Sequence, residues 1–238
     1  MDRRQFLLAS AAGMVVPSLG FEPEAARADG WPRGCITVLP KSHTRRLAWT
    51  VDDGSSAHAL KAYLNLLEAH PDLRLTFFVL SSAPAWHKYR RPITELITAG
   101  QAQVANHTRG HINLVRASNS QIARQLRLCN NFIEDNFGVN PGPYWRPPYG
   151  YIDKRVMRVA ADHGFTKPVL WYGSTGAASY GSGGQPKSVW HNCQKWMTNG
   201  RIVIDHANSS ETVVNFSRIL PMLRERKLAT VTIADALA

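Results

Sequence analysis

An α/β domain wrapped around a parallel sheet is the fold this chain predicts, and three observations carry that reading. Its 238 residues suit one sizeable domain with a single core. From Leu47 onward, short apolar runs alternate with segments of helical periodicity, the rhythm of strand and crossover helix. Asp52, Asp53, His107, Arg146 and His206 all fall at or just past the C-terminal end of a proposed strand, where closed barrels and open doubly wound sheets both place active sites. Pattern alone does not separate those two architectures.

Residues 1–28 stand apart from this rhythm. Arg3-Arg4-Gln5-Phe6-Leu7 opens an apolar run that reaches about Phe21, broken by Gly13, Pro17 and Gly20, and Ala26-Arg27-Ala28 closes the segment with a small-x-small pattern. A spanning helix needs about 20 uninterrupted apolar residues, so the segment reads as a removable export signal. Its opening resembles a twin-arginine signal, which is read by a receptor that exports folded proteins. An amphipathic N-terminal helix is the alternative. Residues 29–238 are then a mature domain without an integral membrane segment, delivered to the periplasm or secreted.

The strands are expected, in order, at Leu47–Asp52, Leu75–Leu80, Ala102–Ala105, Pro143–Trp145, Pro168–Tyr172, Ile202–Asp205 and Ala229–Ile233, each chosen for β-branched and aromatic content. After the first comes a helix carrying Leu60, Tyr63, Leu64 and Leu67 on one face. Ile122, Leu126, Cys129 and Ile133 mark a second, with Ser118 as its cap. Asp153 is placed to cap a third that ends near Gly164, and Phe216, Ile219, Leu220 and Leu223 mark a fourth, expected to break or kink at Pro221. The stretch Gly173–Gly184, rich in Gly and Ser, lacks the spacing of a phosphate-binding loop and reads as a surface loop that borders a cleft.

Composition removes several function classes. With 44% hydrophobic and 19% charged residues, the chain is not disordered. A formal charge of +11 raises nucleic acid, anionic membrane or acidic glycan as partners. Export and the absence of a basic stripe interleaved with aromatics argue against nucleic acid, and a solvated basic surface is the simplest account. Residues 1–28 hold as many basic residues (Arg3, Arg4, Arg27) as acidic ones (Asp2, Glu22, Glu24), so the excess belongs to the rest of the chain. Cys35, Cys129 and Cys193 form neither a disulfide scaffold nor a Cys-x-x-Cys motif.

Chemistry gathers at the strand ends. Asp52 and Asp53 crowd two like charges before Gly54; each raises the other's pKa unless a cation is near, and a metal on one would leave the other ionised as a base. His107 and His111 are spaced i and i+4, which puts both imidazoles on one side of a helical turn. One carboxylate with two imidazoles gives three ligands and leaves positions open for water and substrate, the pattern of a catalytic metal centre.

These residues lie in motifs that resemble the polysaccharide deacetylase (NodB homology) family of carbohydrate esterases. Thr50-Val51-Asp52-Asp53-Gly54 is similar to its Thr-Phe-Asp-Asp-Gly, His107 to His111 to its His-Ser/Thr-x-x-His, and Arg146-Pro147-Pro148-Tyr149-Gly150 to its Arg-x-Pro-x-Gly. Thr76-Phe77-Phe78-Val79 looks like its second strand, and Ile204-Asp205-His206 resembles its Leu-x-His with Ile for Leu. The resemblance spans roughly residues 44–210 and implies a distorted (β/α)7 barrel in a single domain.

What it implies for the site is specific. Asp53, His107 and His111 would bind a divalent metal, zinc first, with cobalt, nickel or iron as alternatives. Asp52 would be the general base and Arg146 would orient it. The backbone N–H of Tyr149 would share the oxyanion with the metal, His206 would protonate the leaving amine, and Trp171 would wall the sugar site. The implied activity is hydrolytic N-deacetylation of a polysaccharide. One departure stands out: the family usually has Asp and then Asp-Trp shortly after the tryptophan matched by Trp171, and one of those carboxylates tunes the catalytic histidine. Gly173-Ser174-Thr175-Gly176 follows here instead. The histidine would then recruit Asp205 or another carboxylate, or the chain would be a glycan-binding module without catalysis. The same chemistry applied to O-acetyl esters, for example on xylan, is a third alternative. Asn106-His107-Thr108 spells a glycosylation sequon and is read as coincidence.

Overall fold

The computed structural model describes residues 31–178 and 186–238. The export segment expected at 1–28 and the latter part of the Gly/Ser-rich stretch lie outside the described residues.

Strands and helices alternate as the sequence predicts. They run β1 (Arg46–Asp53), α1 (Ala57–Ala69), β2 (Leu75–Val79), α2 (Pro84–Lys88), α3 (Arg90–Thr98), β3 (Ala102–Asn106), α4 (Asn119–Phe137), β4 (Tyr144–Trp145) and α5 (Lys154–Ala161). Then follow β5 (Lys167–Pro168), β6 (Gly173–Ser174), α6 (Pro186–Trp196), β7 (Arg201–His206), α7 (Phe216–Glu225), β8 (Ala229–Thr230) and α8 (Ile233–Leu237). All strand pairs are parallel, in the order β5-β4-β3-β2-β1-β7-β6. Leu47 pairs with Arg201 of β7 on one side and Thr230 of β8 on the other, so β8 sits beneath β2 at the start of β1. The result is the curled parallel sheet of a distorted (β/α)7 barrel in one domain.

The expected strand Pro168–Tyr172 divides, and its two parts join opposite edges of the curled sheet. β5 pairs with β4 at one edge and β6 pairs with β7 at the other, with only residues 169–172 between them. A single run that must leave one edge and join the other cannot stay in one register. Tyr172 N–H already donates to Ile202 O (2.8 Å), and Gly173 lies so close to Trp196 that a Cβ there would meet the indole at 2.5 Å. Ile36 and Val38 bridge the seam, pairing with Val169 and Arg201.

Strand alternation sorts the core. Leu47, Trp49, Val51, Phe77, Val79, Val104 and Val203 face outward and pack under the helices with Leu60, Tyr63, Leu64 and Leu67 of α1. Ala48, Phe78, Ala105, Tyr144, Val169 and Ile202 form a separate interior cluster. Ile122, Leu126, Cys129 and Ile133 of α4 are buried, and Ser118 caps that helix in a reciprocal capping box with Gln121. Asp153 caps α5 by accepting from Val156 N–H (2.7 Å).

Three other expectations are corrected. The break at Pro221, one of the two expected outcomes there, does not occur: α7 continues to Glu225, and Pro221 and Ser217, whose carbonyl loses its partner, both lie on the exposed face, where water can take the lost bond. The last strand stops at Thr230, because Thr232 caps α8 by accepting from Asp235 N–H (3.0 Å). The start of the Gly/Ser-rich stretch is not a surface loop, since Gly173 and Ser174 form β6 and Thr175, Ala177 and Ala178 are buried. Trp190 and Trp196 pack on the main core. No described helix is long and apolar enough to cross a membrane.

Candidate metal centre

Neighbouring residues on a strand point to opposite faces, so Asp52 and Asp53 should not share a site. They do because β1 ends in a tight turn. Gly54 N–H donates to Asp52 O (3.0 Å) across Asp53, whose φ is +68°, and this swings Asp53 back to the barrel mouth. Gly54 (φ +80°) is needed twice over, since any Cβ would meet the Trp86 ring at 2.5 Å. Trp86 Nε1–H donates to Asp53 O (2.7 Å) and pins the turn.

His107 extends β3, its N–H donating to Val79 O (3.0 Å). The helical turn expected for His107 and His111 is absent, and a loop does the work instead. Thr108 N–H donates to Asn106 Oδ1 (2.8 Å), and Thr108 (φ +71°) and His111 (φ +51°) are both left-handed, which folds the second imidazole back beside the first. Among the described residues, Lys227 is the one left-handed non-glycine away from the mouth; Asp53, Thr108, His111 and Tyr149 all sit at it. Such strain concentrates where a site must be held in one geometry. Asn106 is fully buried and its amide donates to Leu126 O (2.9 Å), so the sequon is not a glycan site.

The geometry suits a cation. Ligand atoms of Asp53, His107 and His111 lie within 4.8 Å of one another, and all three residues are buried. Asp53 Oδ1 is buried and has no hydrogen bond among the described residues, 3.4 Å from His107 Nε2 and 3.3 Å from His111 Nε2. A buried carboxylate oxygen facing two ring nitrogens fits a metal and is costly otherwise. His107 Nδ1 lies 2.8 Å from Arg146 O, so its N–H donates there and Nε2 is the ring nitrogen left to face inward.

Charges follow the same design. Burial alone would push the Asp53 carboxyl up, but His107, with His206 and His111, outweighs it and holds Asp53 well below the usual carboxylate range. Burial pushes His107 down, yet Asp52 and Asp53 more than reverse this and raise it. His111, desolvated and beside His107, falls to about 4.

Asp52 is held from below. Its Oδ1 accepts from Arg146 Nη1 (2.6 Å), while Oδ2 lies 3.6 Å from His107 Nε2. Arg146 is fully buried and donates further to Val169 O, Leu170 O and Thr50 Oγ1, with its guanidinium 4.0 Å from the Phe78 ring centre. Burial lowers its pKa against the pull of Asp52. Asp52 pairs in register with His206 of β7, so the two flank the same mouth. His206 Nδ1 is buried and has no hydrogen-bond partner among the described residues. Tyr149 (φ +61°) follows Pro147 and Pro148 at the rim, its ring 4.5 Å from that of His111. Trp171 is half-buried against Trp31 and 5.7 Å from the Arg146 guanidinium.

Two features escaped the sequence. Asn208 donates to Asp53 Oδ2 (2.7 Å) while its Oδ1 accepts from Ser55 N–H and Oγ–H, which turns Asp53 Oδ1 toward the imidazoles. Only its position two residues after His206 could have drawn attention to it. Asp205 does not serve the His206 ring. It points outward and accepts from Trp49 Nε1, Tyr63 OH, Thr175 Oγ1, Thr212 Oγ1 and the His206 backbone N–H. Cys129 and Cys193 are buried thiols, with Cys129 pushed up to about 12 by burial.

The barrel carries a buried Asp-His-His cluster that could hold a metal ion at the C-terminal ends of its strands, with an arginine-held carboxylate beside it, the place where barrel folds put their active sites. The chain belongs to the polysaccharide deacetylase family, whose model matches residues 40–168. It is 25% identical over 209 residues to a peptidoglycan-N-acetylglucosamine deacetylase of Bacillus cereus, covering 87% of this chain and 94% of that one. It is 29% identical over 204 residues to the corresponding Listeria monocytogenes protein, covering 84% of this chain but 41% of its relative. Among solved structures, a carbohydrate esterase family 4 pseudoenzyme from Bacillus anthracis superposes with a TM-score of 0.69 at 21% identity, covering 82% of this chain and 66% of the other.

Proposed function

We propose that this chain is a metal-dependent hydrolase that removes acetyl groups from N-acetylated sugars of a polysaccharide. The observation that carries this is Asp53 Oδ1, buried without a hydrogen bond among the described residues and aimed at two imidazole Nε2 atoms, beside an Asp52 fixed by Arg146. A divalent metal, zinc with cobalt, nickel or iron as alternatives, would be held by Asp53, His107 and His111 and would supply Lewis acidity and an acidified water.

The chain's own groups account for the remaining steps. With Oδ1 tied to Arg146, Asp52 has Oδ2 left to take the proton of the attacking water. The backbone N–H of Tyr149, on a turn stiffened by Pro147 and Pro148, would donate to the oxyanion. His206, on the facing strand, would protonate the leaving amine, which departs poorly as an anion. The half-buried Trp171 would wall the sugar site. The twin-arginine-like opening supports export to the periplasm or beyond as a folded protein.

His206 also motivates two further readings. An imidazole whose buried Nδ1 has no partner among the described residues is less well held than one tied to a carboxylate. That favours O-acetyl esters, whose alkoxide leaves more readily than an unprotonated amine does as its anion, or a glycan-binding module without turnover. The deciding experiment strips and reloads the metal, then follows acetate and free amine together on N-acetylglucosamine oligomers and on acetylated xylan. Matched acetate and amine supports N-deacetylation. Acetate from xylan alone moves the chain to the esterases, and binding without release from either makes it a module.

A further inference from the structure

We infer that Tyr149 and Tyr151 form a stacking platform for a neutral pyranose ring of the substrate, the sugar next to the one whose acetyl group is removed. This rests on the proposed polysaccharide activity and names a second point of contact for the same substrate. Tyr149 is 51% exposed and Tyr151 41% exposed, and among the described residues they are the most open aromatic side chains. Their ring centres lie 5.6 Å apart with planes inclined by 34°, and the Tyr149 ring lies 4.5 Å from that of His111, so the pair begins beside a proposed metal ligand.

Open aromatic rings are ordinary when the chain beneath them moves, and this chain is fastened. Gly150 and Tyr151 N–H donate to Pro147 O and Pro148 O, both 3.1 Å. Trp31 Nε1–H donates to Gly150 O (3.0 Å), and Trp171 packs so tightly beneath Gly150 that a Cβ would meet its ring at 2.8 Å. Gly150 (φ +67°) is the residue that lets two indoles approach the turn closely while its two neighbouring phenols stay exposed. Rings presented on a fixed backbone lose little freedom when they bind. The face of an aromatic ring is its negative side and attracts the polarised C–H groups that an uncharged sugar ring shows on its flat faces, while the phenol O–H can reach a sugar hydroxyl. A flat, neutral ring with hydroxyls at its edge meets both demands. Tyr151 is therefore a specificity residue for chain length: it rewards an oligomer over a single sugar.

The test uses the metal-loaded Asp52→Asn protein, so that binding is measured without turnover. The tetramer of N-acetylglucosamine is titrated calorimetrically against this protein, and against versions also carrying Tyr151→Ala or Tyr151→Phe. The platform predicts that Tyr151→Ala weakens the tetramer roughly three- to tenfold, the range of one aromatic contact, while Tyr151→Phe keeps most of the affinity. Equal affinity with and without the Tyr151 ring overturns the platform, as does a tetramer no tighter than the monomer. If the parent protein releases no acetate but Tyr151→Ala still weakens the tetramer, the deacetylase reading fails and the platform stands.

Discussion

Two adjacent pairs of polar residues end neighbouring strands, and they meet opposite fates. Asp52 and Asp53 close β1, Asp205 and His206 close β7, and the strands run in register so that Val51 faces Asp205 and Asp52 faces His206. At β1 the left-handed turn at Asp53 brings both carboxylates to one mouth. At β7 regular alternation holds: His206 turns to the mouth, and Asp205 turns away under the helices into a shell of five donors. A buried carboxylate thus plays two roles one strand apart. Where its oxygen lacks a donor it invites a cation, and where donors surround both oxygens it fastens the fold.

The sharpest way to break this contrast is at Asp52. Asp52→Asn keeps the shape and the proposed metal ligands but removes the proposed base, so acetate release should fall by about 10² to 10⁴, with metal content unchanged. At Asp205 the effect should be on stability. Each carboxylate oxygen there faces one N–H that cannot reverse its role, Trp49 Nε1–H at Oδ2 and His206 N–H at Oδ1. Either orientation of the amide in Asp205→Asn sets NH₂ against N–H, for a loss of about 2–3 kcal/mol. Denaturant melts of metal-loaded protein would read it, with metal affinity little altered.

Asn208→Ala should do the reverse, weakening metal binding by roughly ten- to a hundredfold, with a small change in melting. Competition with a chromophoric chelator measures this. The smallest effect is on pH dependence. Asp52 and Asp53 raise His107, whereas His111 sits near 4 and Asp53 is well below its ordinary range, so of the three groups His107 is the one whose proton competes most with a metal as pH falls. Affinity should therefore fall with falling pH by up to about tenfold per unit. Calorimetry in two buffers should find about one proton released per metal, and two would mean that His111 is charged as well.

Much of this was legible in the chain. The α1 and α4 faces follow from apolar spacing, and Ser118 from its place ahead of one, because such signals are local. Asp53, His107 and His111 were legible through their motifs, yet the reason they meet was not. An i, i+4 histidine pair suggested a helix, and only tertiary structure holds Thr108 and His111 at positive φ. Asn208 and the donors around Asp205 are joined by hydrogen bonds across many residues, with no periodicity to betray them. The run 167–174 misled for the same reason: its two ends answer to different edges of the sheet.

The central claim is that Asp53, His107 and His111 bind one metal that Asp52 uses but does not hold. Metal content and acetate release from N-acetylglucosamine oligomers, measured on the same samples of the parent protein, Asp52→Asn and His111→Ala, test it most directly. The account predicts one metal and activity in the parent, one metal without activity in Asp52→Asn, and neither in His111→Ala. Full metal content in His111→Ala, or undiminished acetate release by Asp52→Asn, would contradict it.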